Sequence, residues 1–145
     1  MEILNRQASY NYFIEDTYEA GIVLKGTEIK SIRSGKCNIK DSYVIIKNNE
    51  VYLLNAHISA YEQGNIFNHE ETRNRKLLLN KHEILKLNNK LNIEGYTLIP
   101  LKIYFVKGRA KVLVGVCKGK KTYDKRESIK EKDLEREMKQ NAKYR

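Results

Sequence analysis

The sequence predicts a mainly β protein: a small antiparallel barrel with two or three short helices set into it and a tail that is helical when bound. Three observations carry that expectation. Short runs rich in β-branched and aromatic residues recur between residues 18 and 117, separated by turn signals. Two of the separators, KNNE (47–50) and KGR (107–109), have the composition of hairpin turns. Beyond Lys121 the glycines stop and helix formers dominate.

Taken in chain order, YEAGIVL (18–24) is the first strand. TEIKSIRSG (27–35) is a short helix, with Thr27 as its N-cap and Gly35 as its stop. SYVIIK (42–47) and VYLLNAHI (51–58) form a hairpin across KNNE. Residues 59–76 read as a polar loop whose end, TRNRK, is basic. NKHEILKLNNKLNIEG (80–95) is the stronger helix. Asn80 and Glu83 have capping-box spacing, Ile84, Leu87 and Leu91 form an apolar stripe, and Gly95 ends it. YTLIPLKIYFV (96–106) and AKVLVGVC (110–117) pair across Gly108. Pro100 fits a bulge or an edge, Val112, Val114 and Val116 share one face, and Gly115 marks a bulge or a close approach. A closed sheet leaves no edges, so an OB-like barrel suits this set and supplies an oligonucleotide-binding face.

The chain divides into a barrel over 1–119 and a basic joint with tail over 120–145. The tail's apolar residues (Ile129, Leu134, Met138, Ala142 and Tyr144) are too few to bury a face, and like charges stand at helical spacing. It is expected to be disordered free and helical when bound.

The chain has 145 residues and a net charge of +10. Residues 1–101 carry 13 Lys and Arg against 12 Asp and Glu, whereas residues 102–126 carry 9 against 1. Charge this concentrated points to a polyanionic partner. The N-terminal residues lack the pattern of a signal peptide, and no run reaches the roughly 18 apolar residues of a membrane span. A cytoplasmic protein is expected, with no membrane partner and with Cys37 and Cys117 reduced. His57, His69 and His82 share no metal-ligand spacing, so no metal or other cofactor is expected. GVCKGKK (115–121) is not a phosphate-binding loop: three residues separate its glycines, and Lys121 replaces the Ser or Thr. No acidic pair has catalytic spacing, so no enzyme activity or small-molecule substrate is expected. In KGKKTYDKR (118–126), five of nine residues are basic and Tyr123 stands among them. Cations hold phosphates and an aromatic ring stacks on an unpaired base.

NRQASYNYFIEDTYEAGIVLKGTEIKSIRSGKCNIKDSYV (5–44), TRNRKLLLNKHEI (72–84), EGYTLIPLKIYF (94–105) and KVLVGVCKGKKTYDKR (111–126) together closely resemble the SsrA-binding protein family, also called small protein B. The resemblance spans essentially the whole chain. It implies an OB-like barrel that binds the tRNA-like domain of transfer-messenger RNA and delivers it to stalled ribosomes in trans-translation. The tail would then probe the empty messenger channel. Carried over residue by residue, Asn5, Glu19, Asn80 and Lys111 would grip the tRNA-like RNA with Leu78 packing beneath. Arg73, Arg75 and Lys76 would add phosphate contacts. Tyr123 would stack on a base of the small-subunit decoding centre. Lys118, Lys120, Lys121, Asp124, Lys125 and Arg126 would surround it, with Ile129, Leu134 and Met138 on the apolar side of the channel helix. Glu19 cannot hold phosphate, so it would accept from base amino groups or ribose hydroxyls. Gln7 and Ser9 depart from the family, standing where Lys and Arg are common. Two alternatives have distinct signatures: a general single-strand-binding barrel is indifferent to sequence, and an RNA-processing nuclease needs metal-dependent turnover.

Overall fold

The computed structural model describes residues 2–61, 68–92 and 95–119. In chain order the elements are β1 (Glu2–Leu4), α1 (Ala8–Asn11), β2 (Tyr12–Ile22), α2 (Gly26–Arg33), β3 (Cys37–Asn38), β4 (Tyr43–Lys47), β5 (Glu50–Leu54), β6 (His57–Ile58), β7 (Arg75–Leu78), α3 (Lys81–Leu91), β8 (Tyr96–Val106) and β9 (Arg109–Gly119). The main sheet runs β1-β8-β4-β5-β7-β2-β9, all antiparallel, and β9 pairs back onto β8. Six strands therefore close into a ring, as expected of an OB-like barrel. β1 lies along the far half of β8, and β3 and β6 form a separate two-stranded piece.

Both expected hairpins form. Asn48 and Asn49 have φ of 54° and 63°, and Lys107 and Gly108 have φ of 50° and 80°, the doubly positive turns that match strand twist. Val112, Val114 and Val116 are fully buried and meet Ala20, Val51, Leu53, Leu77, Leu98 and Ile103. Ile32 of α2 and Leu87 of α3 enter the same core, with Ile84 and Leu91 packed beside it. The other face of β9 supports a smaller cluster, Cys117 with Ala8 and Ile99. Pro100 sits at a bulge: Pro100 pairs with Val114 but Lys102 pairs with Leu113, so Leu101 is extra. Gly115 is a close approach, because a Cβ there would lie 2.9 Å from Leu101 Cδ1 and 3.1 Å from Cys117 Sγ. Burial pushes the thiols up, Cys37 to about 12 and Cys117 to about 11, so both stay protonated.

Several boundaries differ from expectation. α2 begins at Gly26 with Lys25 as N-cap, not Thr27. The Thr27 hydroxyl instead meets His69 Nδ1 at 2.8 Å, and the Glu28 carboxylate accepts from the Lys25 N–H at 2.7 Å. His69 Nε2 donates to the Ile58 carbonyl, which makes it a buried structural histidine. α3 keeps its Asn80–Glu83 capping box but ends at Leu91, short of Gly95. VYLLNAHI is broken at Asn55, whose φ is 64°. β1, α1 and the first half of β2 were not expected. The segment 59–76 is not loop throughout, since Arg75 and Lys76 open β7.

Arg75 is the largest fully buried side chain. Its Nε donates to Glu28 Oε2 at 2.8 Å. Its Nη1 donates to the carbonyls of Ala56 and Arg73, and its Nη2 to those of Glu70 and Glu71. Arg73 adds two bonds to Glu28, at 2.8 and 2.7 Å. Burial pushes the Glu28 carboxyl up, but the hydrogen bonds from Arg73, the Lys25 backbone and Arg75 outweigh it and hold it below 4.5.

Glu28→Gln leaves two arginines without their anion, and a loss of about 3–5 kcal/mol is expected in urea denaturation at neutral pH. A carboxyl held below its ordinary value stabilises fully above that value, and the contribution fades as pH falls through the lowered one. The wild type should therefore lose stability more steeply than Glu28→Gln between about pH 5 and pH 3, and parallel curves would acquit Glu28. Gly115→Ala should cost about 1–3 kcal/mol by overpacking, read as a lower denaturant midpoint at unchanged slope.

Candidate nucleic-acid interface

Cross-strand register assembles one patch on the outside of the barrel. Leu78 of β7 lies opposite Gly21 of β2, Gly21 opposite Lys111 of β9, Lys111 opposite Tyr104 of β8, and Tyr104 opposite Glu2 of β1. Residues paired across strands share a face, and the alternate positions Ile22, Leu77, Val112 and Ile103 all point into the core. The row is therefore outward, and the next row adds Glu19, Leu113 and Lys102. The structure thus brings Glu19, Leu78 and Lys111 together, three residues far apart in sequence.

Their environments differ. Leu78 is 52% exposed and leans on Gly21, so it faces outward. The Tyr104 hydroxyl donates to Glu19 Oε2, which fixes that carboxylate. Burial and this bond push the Tyr104 phenol up to about 12, so it stays a donor. Lys102 lies 5.1 Å from the Tyr104 ring and 3.4 Å from Glu2 Oε2. A groove of about 330 Å³ opens beside the patch, between α2, the end of β2 and the β8–β9 hairpin. Leu24, Ile29 and Leu78 give it apolar walls, Arg109 and Lys111 are its cations, and among the described residues lining it none is acidic.

Asn80 is exposed two residues beyond Leu78, with its Oδ1 committed to the helix cap through the Glu83 N–H. Lys76 is exposed on β7 and pairs with Glu50 at 3.1 Å. Lys118 is exposed on β9, 5.5 Å from the Tyr96 ring. Three of the residues expected to meet RNA have partners inside the protein. Arg75 has no exposed surface and spends all five N–H donors inside the protein, so it offers nothing to a phosphate. Arg73 is largely spent on Glu28. Asn5 is turned inward, its Nδ2 donating to the Ile39 and Pro100 carbonyls, and its buried Oδ1 has no hydrogen-bond partner. It clamps the 39–42 segment to β8. Lys120, Lys121, Tyr123, Asp124, Lys125, Arg126, Ile129, Leu134 and Met138 lie outside the described residues.

Sequence reasoning missed Gly21 and Arg109 as groove residues. The signal for Arg109 was present, since 102–119 holds Lys102, Lys107, Arg109, Lys111 and Lys118 with no acid. Gly21 becomes visible only through its register with Leu78 and Lys111.

A patch of this kind, an apolar floor ringed by cations with one fixed acceptor, suits RNA better than a small metabolite. The comparisons agree. The family model described as SmpB protein matches residues 2–144. The SsrA-binding protein of Shouchella clausii (strain KSM-K16) is 58% identical over 141 residues, covering 97% of this chain and 90% of its own. The SsrA-binding protein of Staphylococcus aureus (strain Newman) is 56% identical, covering 97% and 92%. A solved chain from work on tmRNA-SmpB and its journey to the centre of the bacterial ribosome superposes with a TM-score of 0.73 at 50% identity, covering 90% of this chain and 92% of that one. With the barrel, the outward patch and near-complete coverage in agreement, the chain belongs to the SmpB family of SsrA-binding proteins.

Proposed function

We propose that this chain is a non-enzymatic RNA-binding adaptor of the cytoplasm. It binds the tRNA-like domain of transfer-messenger RNA and delivers it to stalled ribosomes in trans-translation. The observation that carries the reading is family membership over residues 2–144, joined to the convergence of Glu19, Leu78 and Lys111 on one outer face. Lys111 and Arg109 supply phosphate contacts. Glu19, held by Tyr104, accepts from an amino group or a ribose hydroxyl. The barrel over 1–119 does the RNA binding. Residues 120–145 meet the decoding centre and enter the messenger channel, with Tyr123 as the stacking residue. Among the described residues no helix is long and apolar enough to cross a membrane.

A binding titration across a salt series tests the reading. It compares the tRNA-like domain, an ordinary tRNA and an unstructured RNA of similar length. Preference for the tRNA-like domain with affinity falling steeply in salt is expected; equal binding to all three sinks the adaptor reading in favour of a general single-strand binder. Lys111→Ala should weaken binding and flatten the salt slope by about 1. Deleting 124–145 should leave binding to the tRNA-like domain nearly intact and abolish tagging on stalled ribosomes. Lost RNA binding in the deletion would show that the two halves do not divide the work this way.

A further inference from the structure

Among the described residues, three carboxylates accept from a tyrosine hydroxyl. Tyr52 donates to Glu50, Tyr96 to Glu15 and Tyr104 to Glu19. Two of the three also have a cation: Lys76 stands 3.1 Å from Glu50, and Lys90 stands 3.8 Å from Glu15. Among the described residues no cation pairs with Glu19. Its position makes that unusual. Lys102 lies in the same cross-strand row as Glu19, and Lys111 is its diagonal neighbour on β9. Diagonal neighbours lie about 7–8 Å apart, within reach of a long side chain. Lys102 is engaged by Glu2 and by the Tyr104 ring. Lys111 is kept off by Tyr104 itself, which starts in the Lys111 row on β8 and reaches across β9 to Glu19 on β2. A phenol occupies one carboxylate oxygen and leaves the charge in place. A lysine would cancel the charge and spend its own.

We propose that Tyr104 is a positioning residue for RNA recognition: its hydroxyl holds Glu19 away from Lys111, so that one carboxylate oxygen faces the RNA as an acceptor and Lys111 stays available to a phosphate. The proposal rests on the RNA-adaptor reading of this face and adds the residue that keeps its two opposite charges apart. Tyr104 needs no contact with RNA to do this. Glu50 with Lys76 shows the alternative, a closed pair that offers neither an open anion nor an open cation.

The test removes one oxygen from a half-buried ring, a change that leaves the fold intact. Full-length wild type, Tyr104→Phe, Glu19→Gln and the double variant are titrated against the tRNA-like domain of transfer-messenger RNA across a salt series, with urea denaturation of each as the check on folding. In Tyr104→Phe the released carboxylate swings to Lys111. Affinity should fall about 10- to 100-fold, the scale of a hydrogen bond to a charged group. The salt slope should flatten by about 1, because one phosphate contact goes with it. Glu19→Gln should lose affinity at unchanged slope, since a neutral amide does not capture the lysine. The double variant should bind as Glu19→Gln does, with the wild-type slope restored. A merely structural tyrosine would not produce that restoration. Wild-type affinity and slope in Tyr104→Phe overturn the proposal. So does a fall in affinity at unchanged slope, which would mean that Lys111 was never captured, and so does a slope that stays flat in the double variant. The adaptor reading fails on a separate result, equal wild-type affinity for the tRNA-like domain and ordinary tRNA.

Discussion

The Glu28 carboxylate between Arg73 and Arg75 is the constraint on which the rest of the molecule depends. An arginine sealed from water is costly unless every donor is met, and Arg75 meets all five. The partners come from α2, from the segment before β7 and from the turn after β5. No one of those pieces can move alone without stranding a charge. The pair also fixes register. With Arg75 and Leu77 inward, Lys76 and Leu78 must face out. A slip of one residue would bury Lys76 and take Leu78 off the groove. The same cluster holds α2, and so Ile29, in place as the opposite wall.

The long strands β2, β8 and β9 form the second structural theme. Each runs eleven residues, and a flat ladder of that length would not close. Two extra residues, Glu15 in β2 and Leu101 in β8, bend the ladder, and Gly115 lets Leu101 lie close against β9. The bend near Leu101 is also where Asn5 bonds the Pro100 carbonyl, so β1 and the 39–42 segment are secured at the point of curvature. Closure then gives both faces of β9 work: its valines fill the barrel, and Lys111 and Leu113 face outward beside Glu19.

What the sequence made legible follows from period and turn chemistry. The hairpins at Asn48–Asn49 and Lys107–Gly108, the α3 stripe and the valine face of β9 each carry a strong local pattern. β7 was hidden because its first inward residue is an arginine, which reads as surface in any hydropathy pattern. The first half of β2 was hidden because residues 13–17 are exposed and show no alternation. The same blindness to burial affected the site. Asn5, Arg73 and Arg75 have the chemistry of RNA contacts, but burial and internal partners engage them elsewhere. Register alone brings Glu19, Leu78 and Lys111 onto one outer face. Gly21 had no chemistry to announce it.

One feature of β9 reaches beyond the barrel. Lys111 borders the groove at one end of the strand, and Gly119 pairs with Tyr12 at the other, while Lys118 is flanked by Phe13 and Tyr96. The strand is a ruler, eight residues or roughly 27 Å from groove to exit. It is paired on both sides along this length, so neither end can be adjusted separately. Whatever grips the groove thereby stands at a set distance from Gly119, the last residue of the strand. An insertion in a loop would be absorbed locally. An insertion in β9 would shift one end of the ruler against the other.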